Sequence, residues 1–236
     1  MGRFADLKYH QDDLAIELNL PISESQKAVW MENNSLTDST FQISECDSFY
    51  DTIQVGEIPT HTCLSYKNGM HNECLLACFD TNKKILYAYR HGISVARALI
   101  RLTKGSYYQK DNHASLQFAD LEKDTDESQK NGDDLVLFLE RIYTSGLNDE
   151  DTERVANLFV RLLLKKAPQL DARLVISQQA CSTAPKGFIS AKYNIFISRS
   201  KAGKQYLDSL GGQNTVSDEG RYRDGLFLVQ TESERM

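Results

Sequence analysis

Four residues with metal-binding and nucleophilic chemistry lie close together in the chain: His61, Cys63, His71 and Cys74, spaced H-x-C-x7-H-x2-C. Imidazole and thiolate are the ligand types that zinc prefers, and the Asn68-Gly69 turn between the two pairs can fold one back on the other. In an extended stretch His61 and Cys63 share a face. The spacing is not that of a standard zinc finger, and two other readings stand beside the metal. Cys63 can be a nucleophile with His61 or His71 as its base, which requires a lowered thiol pKa. Alternatively, all four are ordinary strand and turn residues.

Arg97 and Arg101 alternate with Ala96, Ala98 and Ile100, so the period of a strand turns both guanidinium groups away from those apolar residues. They form either a solvated face or a pair that reads an anion. Asp80 with Lys83 and Lys84 reads as an exposed turn. Trp30, the only tryptophan, reads as a packing anchor rather than a ligand platform. A phosphate-binding P-loop, the paired histidines of metalloproteases and a serine nucleophile elbow are all absent from the sequence.

The chain that must position these residues has 236 residues, 41% of them hydrophobic and 25% charged. That is enough for one large domain or two small ones with a real core. A net charge of -6 and a pI near 5.4 weigh against non-specific binding to nucleic acid or to anionic membranes, so neither is expected as a partner. No apolar run approaches the ~20 residues that span a bilayer, and MGRFADLKYHQDD is too polar for a secretory signal, so a cytoplasmic location is expected. Five cysteines, an odd number spread over a chain of ordinary size, are not a disulfide framework. Reduced and mostly buried thiols are expected.

Residues 1–50 read as a mostly helical region and residues 51–236 as a mixed-sheet domain. DDLAIELNL (12–20) leans to helix, and Ser23 with Gln26 makes a capping box for a short helix through KAVWM. Residues 33–51 read as loop with at most one short element. From Cys74 to Gly105 the pattern predicts three consecutive strands, CLLACFD, KILYAY and ISVARALIRLT, joined by tight turns into an antiparallel meander. A short strand is expected around 116–118 and an exposed acidic loop over 121–134. LVLFLERIYTS (135–145) is a further strand. After it, Asn148 or Asp149 can cap a helix whose stripe is Val155, Leu158, Phe159, Leu162 and Leu163, with Lys165 and Lys166 at its C-terminal dipole. ARLVIS (172–177) completes a strand-helix-strand unit, which predicts two parallel strands. YNIFIS, a short helix KAGKQYLDSL and a last strand GLFLVQ follow.

This order of elements from Cys74 to Gln230 resembles the GNAT acyltransferase fold, in which an antiparallel meander feeds a strand-helix-strand unit that grips the diphosphate of acetyl-coenzyme A. The segment from LVLFLERIYTS to ARLVIS is laid out like that family's cofactor core. YNIFISRSKAGKQYLDSLGG is similar to its closing part, with Leu210-Gly211 just after a tyrosine. The fold class this implies is α/β, with a mixed, mostly antiparallel sheet and flanking helices. For an active member the resemblance implies acetyl-coenzyme A as cofactor. Backbone N-H groups around Ile142, Tyr143, Thr144 and Gly146 would hold it, with Glu140 as base and Tyr206 as acid.

Two departures count against that activity. The family's loop before the helix carries an Arg or Gln and two glycines. Here it is TSGLNDEDTE, with one glycine and with Asp149, Glu150, Asp151 and Glu153 where a bound phosphate needs an unopposed helix dipole. The slot of the family's proton-donating tyrosine is held by Leu207, and Tyr206 is its neighbour, about 100° away on a helix. The expected function is therefore a degenerate GNAT-like module that binds a peptide, a protein or a small molecule without a cofactor. The alternatives are an acetyl-coenzyme A-dependent N-acyltransferase and a small zinc-containing module. The stretch from Gly56 to Gly105 is also similar to a segment of larger bacterial proteins, which implies a module of a longer chain and supplies no activity.

Overall fold

A computed structural model describes residues 14, 18, 20–108, 133–207, 210 and 216–234. The helices are α1 (Glu24–Met31), α2 (Phe49–Ile53) and α3 (Asp149–Lys166). The strands are β1 (Ser35–Thr37), β2 (Gln42–Cys46), β3 (Lys83–Arg90), β4 (Ile93–Tyr107), β5 (Asp134–Leu139), β6 (Tyr143–Thr144), β7 (Arg173–Ser177), β8 (Phe188–Ile197), β9 (Gln205–Tyr206), β10 (Val216–Ser217) and β11 (Arg221–Gln230). The protein is mixed α/β, and every pairing is antiparallel except β5 with β7. No helix among the described residues is long and apolar enough to cross a membrane.

The main sheet runs β1-β2-β3-β4-β5-β7-β11-β8, and the far end of β4 also pairs with β8, at Gly105–Tyr107. β4 can do both because it is 15 residues long: β3 takes one edge up to Arg101, and β8 takes that same edge beyond it. The strands β4, β5, β7, β11 and β8 thereby close into a small barrel. Its interior holds Val136, Phe138, Val175, Tyr193, Ile195 and Phe227. The outer face of the same strands, with Leu137, Leu139, Leu174 and Ile176, packs on the stripe of α3. A third cluster joins Ile85, Tyr87 and Leu99 to Val55, Leu64 and Leu75 of the segment that covers the inner face of β3 and β4.

The strand-helix-strand unit forms as expected. Asn148, rather than Asp149, caps α3 by accepting the Asp151 N-H at 2.7 Å, and the five stripe residues are buried. The capping box of α1 is present, with the Gln26 side chain accepting from the Ser23 N-H at 2.9 Å. Trp30 is fully buried and donates to the Thr81 carbonyl at 2.8 Å, which fits the anchor role. Leu14 and Leu18 are helical and buried; the rest of the helix expected over 12–20, apart from Leu20, lies outside the described residues. So do the strand expected at 116–118 and all but the last two residues of the acidic loop.

Other expectations are corrected. CLLACFD is not a strand. Cys74, Leu75, Cys78 and Asp80 each donate to the carbonyl three residues back, in two successive 3-10 turns. Leu75, Ala77 and Cys78 are buried while Leu76 is 49% exposed, which is the spacing of a turn and not the alternation of a strand. The meander nevertheless has three strands, because β2, from a region read as loop, pairs with β3. KAGKQYLDSL does not form the expected helix over 201–207: Gln205 and Tyr206 form β9 against β10, held extended by the buried Gln205 side chain, and only Leu210 beyond them is in a 3-10 turn. Asp80, Lys83 and Lys84 are not an exposed turn but are 6%, 1% and 1% exposed. Lys165 and Lys166 do lie in the last turn of α3, and Lys166 is in addition buried against Glu45 at 2.5 Å.

Closure of the barrel depends on one small residue. A Cβ at Gly105 would stand 2.3 Å from the Asn194 carbonyl oxygen and 2.7 Å from Cε1 of Tyr193. Gly105→Ala is therefore expected to lower the unfolding free energy by about 2–3 kcal/mol, the scale of overpacking a filled site. Urea denaturation followed by circular dichroism measures it; an unchanged midpoint would mean that β8 does not lie against β4.

Candidate functional site

The site is built on an irregularity in the strand after β5. Ile100 pairs with Leu139, and the Glu140 N-H donates to the Leu99 carbonyl at 3.0 Å, but one residue further along β4 the register changes, so that Arg97 pairs with Tyr143. Arg141 and Ile142 thus stand opposite Ala98 alone, which is a β-bulge. The extra residue lets both Glu140 and Tyr143 point to the inner face, beside Arg101 and Arg97. Pairing with β7 ends at Leu139–Ile176, and β6 beyond it pairs with β4 only. Ser145 N-H donates to the Val95 carbonyl at 2.9 Å. Ladder alternation then turns the Thr144 N-H toward the other edge, where β7 no longer accompanies the strand.

Beneath this edge lies a buried polar cluster. Arg101, 3% exposed, forms an ion pair through Nε with Glu140, donates from Nη1 to Gln205 Oε1 at 2.8 Å and from Nη2 to the Tyr206 carbonyl at 3.2 Å. Gln205 Oε1 also accepts from Lys83 Nζ at 2.8 Å, and Lys83 pairs with Asp80 at 3.0 Å. Burial, and then the neighbouring Arg101, hold the Lys83 pKa below its ordinary value, with Asp80 opposing. Arg97 is 1% exposed, with Tyr143 stacked at 4.2 Å and Thr62 Oγ1 accepting from Nη2 at 3.1 Å. Burial lowers its pKa too. The reading of Arg97 and Arg101 as a solvated face is therefore corrected: both are interior.

At the rim, Cys63 Sγ donates to the Tyr206 hydroxyl at 3.0 Å, and the His71 ring lies 5.6 Å from that of Tyr206. His61 instead faces Glu57, Nδ1 to Oε2 3.5 Å. The four residues of the His/Cys pattern are not gathered around one point, and no group of three or more His, Cys, Asp or Glu among the described residues could hold a metal ion. The start of α3 is partly neutralised by Arg90, whose Nη1 lies 3.0 Å from Asp151 and whose Nη2 donates to the Gly146 carbonyl at 3.1 Å. Arg154 is engaged elsewhere, with Asp38 at 2.7 Å.

Of the residues singled out from sequence, Glu140 and Tyr206 are brought together through Arg101, while Tyr143, Thr144 and Gly146 line the open edge. Ile142 turns to the opposite face and packs on the outer core. Gln205, Asp80 and Lys83 were missed as partners of the site. A signal existed: counted by twos along adjacent strands, Lys83, Tyr87, Arg97 and Arg101 share one face with the apolar Ile85 and Leu99, a face that another segment would have to cover.

Two predictions follow from this geometry. Removing one member of a buried ion pair strands the other, so Glu140→Gln and Arg101→Met should each cost about 3–5 kcal/mol of stability, while the double variant should cost much less than their sum. Denaturant midpoints of the three proteins decide it; additive losses would mean that the two side chains are not paired. Burial pushes the thiols of Cys46 and Cys74 up to about 12 and that of Cys181 up to about 11, and also raises Cys78. These four stay protonated at pH 8, and thiols alkylate as thiolates. In the folded protein iodoacetamide at pH 8 should therefore modify these four slowly, as read by peptide mass mapping, and their rapid alkylation before denaturation contradicts this. Comparison of the chain with protein-family models, curated protein sequences and solved structures gives no match, so the chemistry of the site has to be read from these residues alone.

Proposed function

We propose that the chain is a GNAT-like binding module that holds its ligand at the bulged edge of β4 and β6 and does not transfer an acyl group. Support for the fold resemblance comes from the order of the pairings: antiparallel β2, β3, β4 and β5 lead into a parallel β5-α3-β7 unit. Acyl transfer from a thioester needs a base to take the proton of the attacking amine and an acid to return one to the leaving thiolate. The observation that carries the non-catalytic reading is that both candidates are already occupied by the chain. Glu140 is 4% exposed and bound to Arg101; taking up a proton would leave that guanidinium buried without its counter-charge. The Tyr206 hydroxyl, which would face the coenzyme's thiol, faces the thiol of Cys63 instead. Asp149, Glu150 and Asp151 fill the first turn of α3, where a diphosphate would need an unopposed dipole.

The acyltransferase reading keeps one observation in its favour, the Thr144 N-H turned toward an edge that β7 has left. The two separate in a thermal-shift titration. The binding-module reading expects no saturable rise in melting temperature with acetyl-coenzyme A, whereas a rise that saturates and is reversed by salt would replace it with the enzyme.

A further inference from the structure

Among the described residues, every deeply buried cation but one has a carboxylate within ion-pair distance. Lys83 has Asp80 at 3.0 Å, Lys84 has Glu45 at 3.6 Å, Lys166 has Glu45 at 2.5 Å, Lys104 has Asp133 at 3.9 Å and Arg173 has Asp134 at 2.6 Å; Arg101 has Glu140. Arg97 has none. Its Nε-H meets no acceptor, Nη2 reaches the Thr62 hydroxyl, and the Tyr143 ring covers its face. A hydroxyl and a ring do not replace the counter-charge that a desolvated guanidinium requires.

The charge balance around it points the same way. Lys83, Arg97, Arg101 and Glu140 all act on the buried Cys78 thiol, and Asp80 pairs with Lys83. Within that set Arg97 is the cation that has no carboxylate within ion-pair distance. We propose that Arg97 anchors a ligand through a single carboxylate that enters between Thr62 and Tyr143, an inference that rests on the binding-module reading. A carboxylate accepts from Nε-H and a neighbouring Nη-H of one guanidinium, and the Thr62 hydroxyl can donate to it by turning from the Gly56 carbonyl, to which it donates at a long 3.4 Å. It supplies the one counter-charge that the buried Arg97 guanidinium lacks. Thr62, Cys63 and Tyr143 are half-buried, and Arg141, exposed and 5.2 Å from the Tyr143 ring centre, adds a cation at the entrance.

The test titrates the full chain with benzoate, and separately with an acetylated tripeptide bearing either a free or an amidated C-terminus. Arginine Nε-H resonances and the melting temperature are followed. One Nε-H signal, the one missing from Arg97→Met, is expected to move downfield and saturate, and free carboxylates but not the amidated peptide should raise the melting temperature. Equal responses to benzoate and the free peptide assign a small acid; a response to the free peptide alone assigns a peptide C-terminus. Arg97→Met should melt at or above the wild type and lose the response. If it fails to fold, Thr62→Val keeps the guanidinium and should weaken carboxylate binding by about tenfold. No Nε-H movement with any carboxylate in folded wild type, a response retained in Arg97→Met, or a larger response to inorganic phosphate overturns the proposal. Acetyl-coenzyme A is titrated as a separate arm: its binding overturns the non-catalytic reading, and the Arg97 signal still decides the carboxylate site.

Discussion

A guanidinium sealed from water must find its partners inside the protein, and the interior around Arg101 is arranged to supply them. Its Nε meets Glu140, where the strand after β5 leaves regular pairing. Its two Nη groups meet Gln205 and the Tyr206 carbonyl, on a segment a hundred residues further along the chain. One side chain thus ties β4, the bulge and β9 together. Buried pairs of this kind add little stability over a well-packed apolar core, yet they tolerate few alternative arrangements because each wrong one strands a charge. For this protein the consequence is positional: the Glu140 carboxylate and the Tyr206 backbone are held by the same group.

The neighbouring lysines of β3 extend the same logic to both sides of the sheet. Lys83 and Lys84 are consecutive, so a strand must send them to opposite faces. Lys83 joins Asp80 and Gln205 on the inner face. Lys84 joins Glu45 and Asp47 on the outer one, where it shares Glu45 with Lys166 of α3 and lies 5.5 Å from the centre of the Trp30 ring. The outer cluster fastens α1 and β2 to the end of α3, and the inner one fastens the 49–80 cover and β9 to the barrel. Against this background of paired charges Arg97 is conspicuous. The bulge that brings Tyr143 over it opens the edge of the sheet at the same place.

Much of the fold was legible because it depends on local pattern. The stripe of α3, its Asn148 cap, the capping box of α1 and the runs that become β3, β4, β5, β7 and β11 all state their structure within one or two turns of chain. CLLACFD was not legible as a pair of 3-10 turns, since a short apolar run carries no period of its own and its hydrogen bonds are decided by what it covers. KAGKQYLDSL has helix-forming residues, but the buried amide of Gln205 has four partners in the inner cluster, and a helix could not deliver it to them. The candidate site was legible in part. Glu140, Tyr143 and Tyr206 could be named, but not the ion pair and thiol that occupy two of them.

By itself, the sequence determined where α1, α3 and the strands β3, β4, β5, β7 and β11 form, and that β5 and β7 run parallel across α3, because these follow from short-range spacing and chain connectivity. Tertiary structure alone decided which charged residues are interior. Lys83, Lys84, Arg97 and Arg101 sit in segments whose polarity suggests solvent, and their fate depends on partners 35 to 122 residues away. A local pattern can say that a side chain points to one face of a strand. What lies on that face, whether water, a carboxylate or a hydroxyl beneath an open edge, is set only when distant parts of the chain arrive there.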